Sequence, residues 1–340
     1  MEALGFCVKS ETLQEDVIKI ARHVRPEWKH CEIGLKLFTN GLTNQLIGCY
    51  KDNEAEAMIL IRVYGENTHF FMDRKKEIRN MILMHKAGLL PPIYCLFENG
   101  ICYGYIPGEI LNLNLAQQPG ICEKIAENLA LFHKLRDNFD SYNREPCLFK
   151  TLRQFWNLIP DEYDASSCIP NKKELFQEIN FLERYLSDLE SPIVFCHNDI
   201  CFQNIIVNER GDITFIDVEH ADFNYQAFDI ANYLYPSSFT EREKNKSSLY
   251  FTKEFQMKWL KNYLLTWNRL NDKNAECEMI DKQVEKLYEQ ASKFSLAAFL
   301  QWGFWALIQS KYSKINFSFF QYAEYRIQEY FHLKNNFLRL

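Results

Sequence analysis

The sequence has 340 residues, of which 47% are apolar and 25% are charged, and its formal net charge is −6 at pH 7. This length favours two domains or lobes, and the composition is that of an ordinary globular protein. The negative charge argues against broad binding to nucleic acid or to anionic membranes, although it is compatible with a local basic site for phosphates.

The N-terminal stretch MEALGFCVKSETLQED has no basic region followed by a long apolar core, so we expect no signal peptide. The most apolar stretch, 294–308, contains Gln301 and is too short to cross a bilayer, so we expect no integral membrane segment. The eleven cysteines form no C-x-x-C pair. An odd number of cysteines without a secretion signal indicates reduced thiols and a cytoplasmic location.

The first part of the chain is predicted to be one helix followed by strands. The pattern Thr12-Leu-Gln-Glu15 predicts a capping box at the start of that helix. Backbone N–H groups of the turn 39–44 can cradle phosphates, although taken alone an ordinary hairpin turn is the favoured interpretation. The candidate nucleotide-binding residues of this turn are Asn40, Gly41, Thr43 and Asn44. Strands are predicted at 33–38, 45–50 and 58–64.

Arg62 is a lone charge in the third predicted strand, where a charge is costly unless it meets a partner or points to an edge. The following helix, capped by Asp73 and closed by Gly88, carries Glu77 on its first turns. In kinases a lysine on the third strand pairs with a helical glutamate, and Arg62 and Glu77 fit those positions with arginine in place of lysine. The alternative is a solvent-facing arginine and a glutamate that only complements the helix dipole.

A hairpin is predicted next, with strands at 92–97 and 101–106 around Asn99-Gly100. The segments that follow are mostly helical, with helices predicted at 118–135, 149–158 and 172–186. His133 lies on the first of these helices. Because a lone helical histidine is far more often packed than catalytic, we assign it no role.

The strongest motif is IVFCHNDICFQNIIVNERGDITFIDVE, at 193–219. A short apolar run ends in His197-Asn198-Asp199, Asn204 follows, and a predicted hairpin leads to Asp217. Phosphoryl transfer from a nucleotide uses one carboxylate to accept a hydroxyl proton, and an amide and a second carboxylate to hold Mg²⁺. The spacing matches the kinase pattern H-x-D-x-x-x-x-N, with Asp217-Val218-Glu219 in place of D-F-G. The alternative is a polar loop whose Asp and Asn residues form turns.

Two features follow this motif. Asp229 lies in an apolar context, and we expect it to accept hydrogen bonds from the catalytic-loop backbone, the alternative being an ordinary first-turn aspartate. Trp302 and Trp305 are spaced i, i+3 and so share a helix face. Core packing explains most aromatic residues here, but two tryptophans on one face also suit a cation.

These elements predict an α+β, two-lobed protein-kinase-like fold, with a small antiparallel-sheet N-lobe and a large, mostly helical C-lobe. The nucleotide-binding lobe is expected over 1–106, with a hinge at about 103–108 and the catalytic and substrate-binding lobe over 109–340. Backbone groups of the hinge, at Tyr105 and Ile106, are expected to meet the adenine of ATP.

The chain resembles the choline/ethanolamine kinase family over about residues 35–334. Phe319 is similar to the ethanolamine branch, where choline kinases tend to carry tyrosine. The segments that carry the resemblance are GLTNQLIGCY (41–50), IRVYG (61–65), DRKKEIRN (73–80), NGICY (99–103), VFCHND (194–199), NYQAFDIAN (224–232) and WGFWALIQSKYSKINFSFFQYAEYRIQEYF (302–331).

The resemblance implies a kinase that uses ATP and Mg²⁺ to phosphorylate an amino alcohol. The first expectation is ethanolamine, whose phosphorylation is the first step of phosphatidylethanolamine synthesis by the CDP-ethanolamine route. Matching positions imply a catalytic base, two magnesium ligands and a phosphate-holding pair, which are Asp199, Asn204 with Asp217, and Arg62 with Glu77. They imply a substrate site around the ammonium head and the hydroxyl, formed by Asp199, Glu219, Trp302, Trp305 and Tyr322.

The sequence departs from the family pattern at two positions. Where the family continues after FDIAN with His-Phe and then an acidic residue near the substrate cation, this chain has Tyr-Leu-Tyr and Pro236. The family's aromatic residue after D-x-E is His220 here. The alternatives are therefore choline kinase or mixed activity and, from another class, a weakly catalytic kinase fold that only binds its ligands. The oligomeric state is open, with a homodimer among the alternatives.

Overall fold

A computed structural model describes residues 2–38, 44–52, 57–65, 73–135, 144–163, 167–236, 251–272, 277–313 and 315–340. The chain divides into two compact units. The smaller unit contains 1–109 and 214–219, and the larger unit contains 110–213 and 220–340. The lobe boundary at 106 and the hinge at 103–108 stay predictions.

The smaller unit contains a six-stranded sheet in the order β1-β5-β6-β4-β3-β2. Neighbouring strands are antiparallel except for β1 and β5, which are parallel. The sheet is therefore mixed, whereas five antiparallel strands were expected, because the three residues Glu-Ala-Leu of β1 have no recognisable strand pattern. The strands are β1 (Glu2–Leu4), β2 (Ile33–Phe38), β3 (Asn44–Lys51), β4 (Ile59–Tyr64), β5 (Ile93–Phe97) and β6 (Gly100–Gly104).

The apolar run of β4 follows from its central position in this sheet. β4 and β6 are buried along almost their whole length, so side chains on both faces are apolar. The described residues of this unit include two α-helices, α1 (Leu13–Val24) and α2 (Arg74–Lys86). Val17 and Ile20 of α1 join the apolar core of the sheet with Ile59 and Ile61 of β4. This packing fixes the strand from which Arg62 projects.

The start of α1 differs from the prediction. Thr12 is the N-cap residue, but its side chain makes no capping hydrogen bond. Its Oγ1 donates instead to Asp16 Oδ2 at 2.6 Å, and the backbone N–H of Lys9 donates to the same oxygen at 3.2 Å. The predicted capping box is therefore wrong, because the buried Asp16 supplies the acceptor for this turn.

In the described part of the larger unit there are eight α-helices. Five short strands form two further sheets in the orders β10-β9-β7 and β11-β8. The helices are α3 (Leu113–Ala116), α4 (Ile121–Lys134), α5 (Leu148–Leu158), α6 (Lys172–Ser187), α7 (Gln226–Leu234), α8 (Lys253–Leu270), α9 (Cys277–Tyr312) and α10 (Phe319–Phe337). The strands are β7 (Glu109–Ile110), β8 (Ile193–Cys196), β9 (Ile205–Val207), β10 (Ile213–Phe215) and β11 (Asp222–Tyr225).

Helix α7 is the buried centre of the larger unit. All its residues are buried, and it packs against α9 and β8, while α4 packs against α8 and β8. Its carboxylate Asp229 is consequently placed in the protein interior beside the strand that leads into the H-N-D loop. None of the helices in the described part of the chain combines the length and the apolar character needed to cross a membrane.

Candidate active site

Arg62 of β4 and Glu77 of α2 form a buried ion pair, with 2.7 Å between Nη1 and Oε1. Arg62 is 8% exposed and Glu77 1% exposed. A buried charge is tolerated when it is paired and hydrogen-bonded, which removes the difficulty of an arginine in an apolar strand. The expected pairing of these two residues is therefore present.

Asp217 and Glu219, which also belong to the smaller unit, lie around the same guanidinium. Arg62 Nη1 is 3.3 Å from Asp217 Oδ1 and 4.0 Å from Glu219 Oε2. Asp217 has a φ of 59°, a left-handed conformation in which Asp and Asn are enriched among non-glycine residues. Its side chain is 36% exposed, against 2% for Glu77 and 6% for Glu219. Asp217 is thus the accessible carboxylate of this group.

A second arginine, Arg74 at the start of α2, completes the charge cluster. Its Nη1 donates to Glu77 Oε2 at 2.8 Å and to Glu219 Oε2 at 3.0 Å, and its Nη2 donates to Asn44 Oδ1 at 3.1 Å. The guanidinium also lies 4.1 Å from the ring centroid of Tyr64. Sequence reasoning missed this residue, although its place three positions before Glu77 on the same helix face was an available signal.

Glu219 is the most perturbed acid of the cluster. Burial, and secondly the negative charge of Asp217, raise its pKa to about 8, although Arg62 and Arg74 act in the opposite direction. Burial likewise opposes the charged form of Arg62, but Tyr103 and the surrounding carboxylates outweigh it and keep the pKa of Arg62 well above its usual value. The cluster therefore holds two cations among three carboxylates, one of which gains a proton easily.

Asp199 and Asn204 meet in the larger unit. The loop after β8 carries Asp199, and a short 3₁₀ helix, Phe202–Asn204, brings the amide back to it. Asn204 Nδ2 donates to Asp199 Oδ2 at 2.9 Å and to the Asp199 carbonyl at 2.8 Å. Asn204 Oδ1 accepts no hydrogen bond from the described residues. The amide nitrogen thus orients the carboxylate and leaves the amide oxygen available as a ligand.

Asp229 holds this loop as expected. Its Oδ2 accepts the backbone N–H of His197 and its Oδ1 accepts that of Asn198, both at 2.7 Å. Asn198 has a φ of 65°, and its side-chain amide donates to the His220 carbonyl at 3.1 Å. His133, to which we assigned no role from the sequence, lies with Nε2 3.1 Å from Asp229 Oδ2. The prediction for Asp229 is confirmed. His133 is buried, as expected for a packed histidine, and its contact with Asp229 was not predicted because the two residues are 96 positions apart in the chain.

Trp302 and Trp305 lie together on α9, with ring centroids 6.0 Å apart in an edge-to-face arrangement. The indole N–H of Trp302 donates to Asn232 Oδ1 at 2.9 Å, and the His220 ring meets Trp302 edge-on at 5.6 Å. Trp302 is buried while Trp305 and His220 are half-buried, so the edge of this cluster reaches the surface.

Tyr322 of α10 joins the same aromatic cluster indirectly. Its ring lies 6.0 Å from that of Phe317, which contacts Phe319 at 4.7 Å, and Phe319 lies 5.7 Å from Trp305. The expected set of Trp302, Trp305 and Tyr322 is therefore one connected cluster in the larger unit.

The expected nucleotide-binding residues are only partly described. Asn40, Gly41 and Thr43 lie outside the described residues. Asn44 Oδ1 accepts the backbone N–H of Gly65 at 3.4 Å, in addition to Arg74. Tyr105 and Ile106, the residues expected to form the hinge, follow β6 and are half-buried, and the Tyr105 ring lies 6.3 Å from that of Phe38.

Each unit offers an oxygen donor of the kind that magnesium prefers. Asp217 offers an accessible carboxylate in one unit and Asn204 an available amide oxygen in the other. Among the described residues, the His, Cys, Asp and Glu side chains close enough to share a metal are His133, Cys196 and Asp229. Those three are fully buried, and the Asp229 carboxylate is already hydrogen-bonded to the loop backbone.

Comparison with known proteins decides the family. The profile described as Choline/ethanolamine kinase matches residues 35–331. The chain belongs to the choline/ethanolamine kinase family. Human ethanolamine kinase 1 is 37% identical over 329 residues, which cover 94% of this chain and 72% of the human protein. Rat ethanolamine kinase 2 is 36% identical over 333 residues, which cover 97% of this chain and 84% of the rat protein.

Solved structures of this family share the fold. Plasmodium vivax ethanolamine kinase has a TM-score of 0.78 at 23% identity, covering 95% of this chain and 89% of that chain. Choline kinase from Cryptosporidium parvum has a TM-score of 0.75 at 25% identity, covering 96% of each chain. The α+β, protein-kinase-like fold predicted from the sequence is confirmed.

Proposed function

We propose that this family member transfers the γ-phosphoryl group of ATP to the hydroxyl of ethanolamine and so makes phosphoethanolamine for phosphatidylethanolamine synthesis. The observation that carries the proposal is the H-N-D loop, in which Asn204 orients Asp199 and Asp229 fixes the backbone. The curated relatives of 36–37% identity cited above are named ethanolamine kinases, which supports the choice of substrate.

Asp199 is proposed as the general base that accepts the proton of the substrate hydroxyl. Its Oδ2 is engaged by Asn204, so the carboxylate is held in one orientation before substrate arrives. Such preorganisation accelerates proton transfer, because the carboxylate is already aligned before the reaction begins.

Asn204 and Asp217 are proposed to hold Mg²⁺, and Arg62 with Glu77 to face the phosphates. Bound magnesium neutralises charge on the transferred phosphoryl group. Arg62 contributes a cation that Glu77 fixes by a 2.7 Å ion pair. We propose that the ATP site is completed by Asn40, Gly41, Thr43, Asn44, Tyr105 and Ile106.

The ammonium group of the substrate is proposed to bind at the aromatic cluster of Trp302, Trp305 and Tyr322. Aromatic faces attract a cation, and a primary ammonium also needs oxygen acceptors for its three N–H donors. Glu219 is proposed as such an acceptor. Its Oε2 accepts from Arg74, whereas its Oε1 accepts no hydrogen bond from the described residues.

The experiment that tests this function is a nucleotide-turnover assay with ethanolamine, choline and other amino alcohols, with a reaction lacking acceptor as control. We expect ethanolamine to have the larger kcat/KM, because a site built around hydrogen-bond acceptors rejects an analogue without donors. A preference for choline would favour the second candidate, which the retained tryptophan pair supports. Nucleotide binding without turnover of any acceptor would indicate a binding protein.

The oligomeric state and the cellular location are separate matters. A homodimer and a cytoplasmic location stay expectations from the sequence. Light scattering of the purified chain would test the first, and imaging of the tagged protein in cells would test the second.

A further inference from the structure

A chain of four buried polar side chains ends at the carboxylate that holds the catalytic loop. Gln226 Nε2 lies 2.9 Å from the Tyr263 hydroxyl, which lies 2.6 Å from His133 Nδ1. His133 Nε2 lies 3.1 Å from Asp229 Oδ2. His133, Asp229 and Tyr263 are 0% exposed and Gln226 is 3% exposed. These residues come from α4, α7 and α8, so the chain ties three helices together beneath the H-N-D loop.

The direction of each hydrogen bond in this chain follows from its chemistry. Asp229 is an acceptor, so His133 must carry a proton on Nε2. Tyr263 accepts the amide N–H of Gln226 and has one proton to give, and His133 Nδ1 is the acceptor within reach. The neutral Nε2–H form of His133 therefore satisfies both of its ring nitrogens. Every donor then points towards Asp229, an arrangement in which successive hydrogen bonds strengthen one another.

His133 supplies the only side-chain donor to Asp229 that is found among the described residues. The other two donors are the backbone N–H groups of His197 and Asn198, at 2.7 Å each. The His133 ring and the His197 backbone N–H share Oδ2, so His133 helps to fix the orientation in which the carboxylate meets both loop amides. A buried carboxylate that loses one donor also carries a larger desolvation cost.

We propose that His133 is a positioning residue, which keeps Asp229 oriented towards the His197 and Asn198 amides and thereby places Asp199 for proton transfer. This inference rests on the proposed function. The histidine contacts neither substrate nor nucleotide in this scheme and acts only through Asp229.

The histidine itself can be tested with two substitutions. His133→Gln places an amide N–H near the former Nε2 and so keeps a donor for Asp229. His133→Leu fills the same space with an apolar side chain and removes the donor. We expect His133→Leu to lower kcat by about 10- to 100-fold while the KM values for ATP and ethanolamine stay within about threefold, the range seen when an outer-shell partner is lost. His133→Gln should recover most of the lost kcat.

A matched pair of tyrosines separates positioning from general stability. Tyr263 and Tyr330 are both 0% exposed and both hydrogen-bonded, Tyr330 to Glu178. Tyr263→Phe removes the partner of His133, and Tyr330→Phe removes a comparable hydroxyl that does not lead to Asp229. We expect Tyr263→Phe to lower kcat by a few-fold and Tyr330→Phe to leave it unchanged, with both variants losing similar thermal stability.

Amide hydrogen exchange measures how well ordered the H-N-D loop is, and the measurement does not depend on activity. The peptide that contains 197–199 should exchange faster in His133→Leu than in the wild type and His133→Gln, while peptides from the smaller unit stay unchanged. Unchanged exchange and wild-type kcat in His133→Leu would overturn the proposal. If that variant does not fold, equal kcat in Tyr263→Phe and wild type would overturn it. If wild-type protein does not phosphorylate ethanolamine, the proposed function fails, and the exchange comparison still decides the role of His133.

Discussion

At the scale of single residues, the two aspartates of the motif are proposed to have separable roles, and Asp199 is the proton acceptor. Asp199→Asn preserves the shape of the side chain and an oxygen that can accept from Asn204, so the loop should keep its conformation. Loss of the base should lower kcat by about 10²–10⁴-fold, whereas nucleotide binding should remain. Steady-state kinetics and calorimetric titration of ATP would measure the two effects, and near-normal turnover would remove Asp199 as the base.

Asp217 is expected to contribute more to magnesium binding than Asn204, because a carboxylate neutralises charge and an amide only ligates. Asp217→Asn is a better test than Asp217→Ala, because asparagine tolerates the left-handed backbone found at this position. Asp217→Asn should lower activity more severely than Asn204→Ala and should require a higher magnesium concentration. Activity measured against magnesium concentration for each variant decides this, and equal, mild defects would contradict the assignment.

Glu219 predicts a pH dependence of stability. Its pKa is raised from the usual 4.5 to about 8, first by burial and then by Asp217, so the folded protein holds a proton that the unfolded chain releases. The folded state therefore loses stability as pH rises from about 4.5 to about 8, and the loss levels off above that range. Glu219→Gln cannot ionise and should show a flatter profile.

Urea unfolding of wild type and Glu219→Gln between pH 5 and 9, without magnesium or nucleotide, measures this difference. The free energy of unfolding of the variant should rise relative to the wild type as pH increases, whatever constant offset the lost contact with Arg74 adds. Parallel profiles across this range would show that Glu219 is ionised in the folded protein throughout.

At the scale of helices and strands, local sequence signals succeeded where an apolar run or a capping residue marks the element. The strand at 33–38 and the helix capped by Asp73, whose side chain accepts from the Lys76 N–H, have the predicted positions. The capping box predicted at Thr12 is absent because the Thr12 hydroxyl donates its hydrogen bond to Asp16, four residues further along the chain. The short β1 has no pattern of its own, and Asn99, whose side chain binds both the N–H and the carbonyl of Val8 at 2.9 Å, fastens the chain just beyond it.

Within the site, the sequence predicted pairs that follow a known spacing and missed those made by the tertiary fold. Arg62 and Glu77 occupy recognisable kinase positions, so their contact could be predicted. Arg74 meets Glu219 across 145 residues, and His133 meets Asp229 across 96 residues. Such contacts depend on how helices and strands pack, which local periodicity does not encode.

Gly100 gives a prediction about the strand that carries Arg62. The predicted Asn99-Gly100 hairpin is present, but Gly100 begins β6 and pairs with Val63. A Cβ at this position would lie 2.2 Å from the Arg62 carbonyl oxygen and 2.3 Å from the Phe97 ring, so this glycine is needed for close packing. Gly100→Ala should destabilise the protein by about 1–3 kcal/mol, as overpacking does.

Gly5→Ala is the control for this substitution, because a Cβ there meets nothing within 4 Å. Its effect on the free energy of unfolding should lie within about 0.5 kcal/mol. Chemical denaturation of the two variants makes the comparison, and equal stability would show that β4 and β6 shift apart at little cost.

At the scale of the whole molecule, the proposed chemistry is distributed over two compact units. The smaller unit holds the arginine and carboxylate cluster with Asp217, and the larger unit holds Asp199, Asn204 and the aromatic cluster. A chain with two units need not unfold in a single transition, so each probe of unfolding should be assigned to its unit before stabilities are compared.

Ligand-induced stabilisation of the folded protein should separate nucleotide binding from catalysis. A ligand that binds only the folded state stabilises it by about 2.7 kcal/mol at a hundred times its Kd, so Mg²⁺·ATP should raise the midpoint of thermal unfolding. Asp199→Asn should show the same rise as wild type, because the proposed base is not a metal ligand. Asp217→Asn should show a much smaller rise at the same magnesium concentration. Calorimetric scans with magnesium alone, ATP alone and both together provide the comparison. A full rise in Asp217→Asn, or none in wild type, would contradict the proposed ATP and magnesium site.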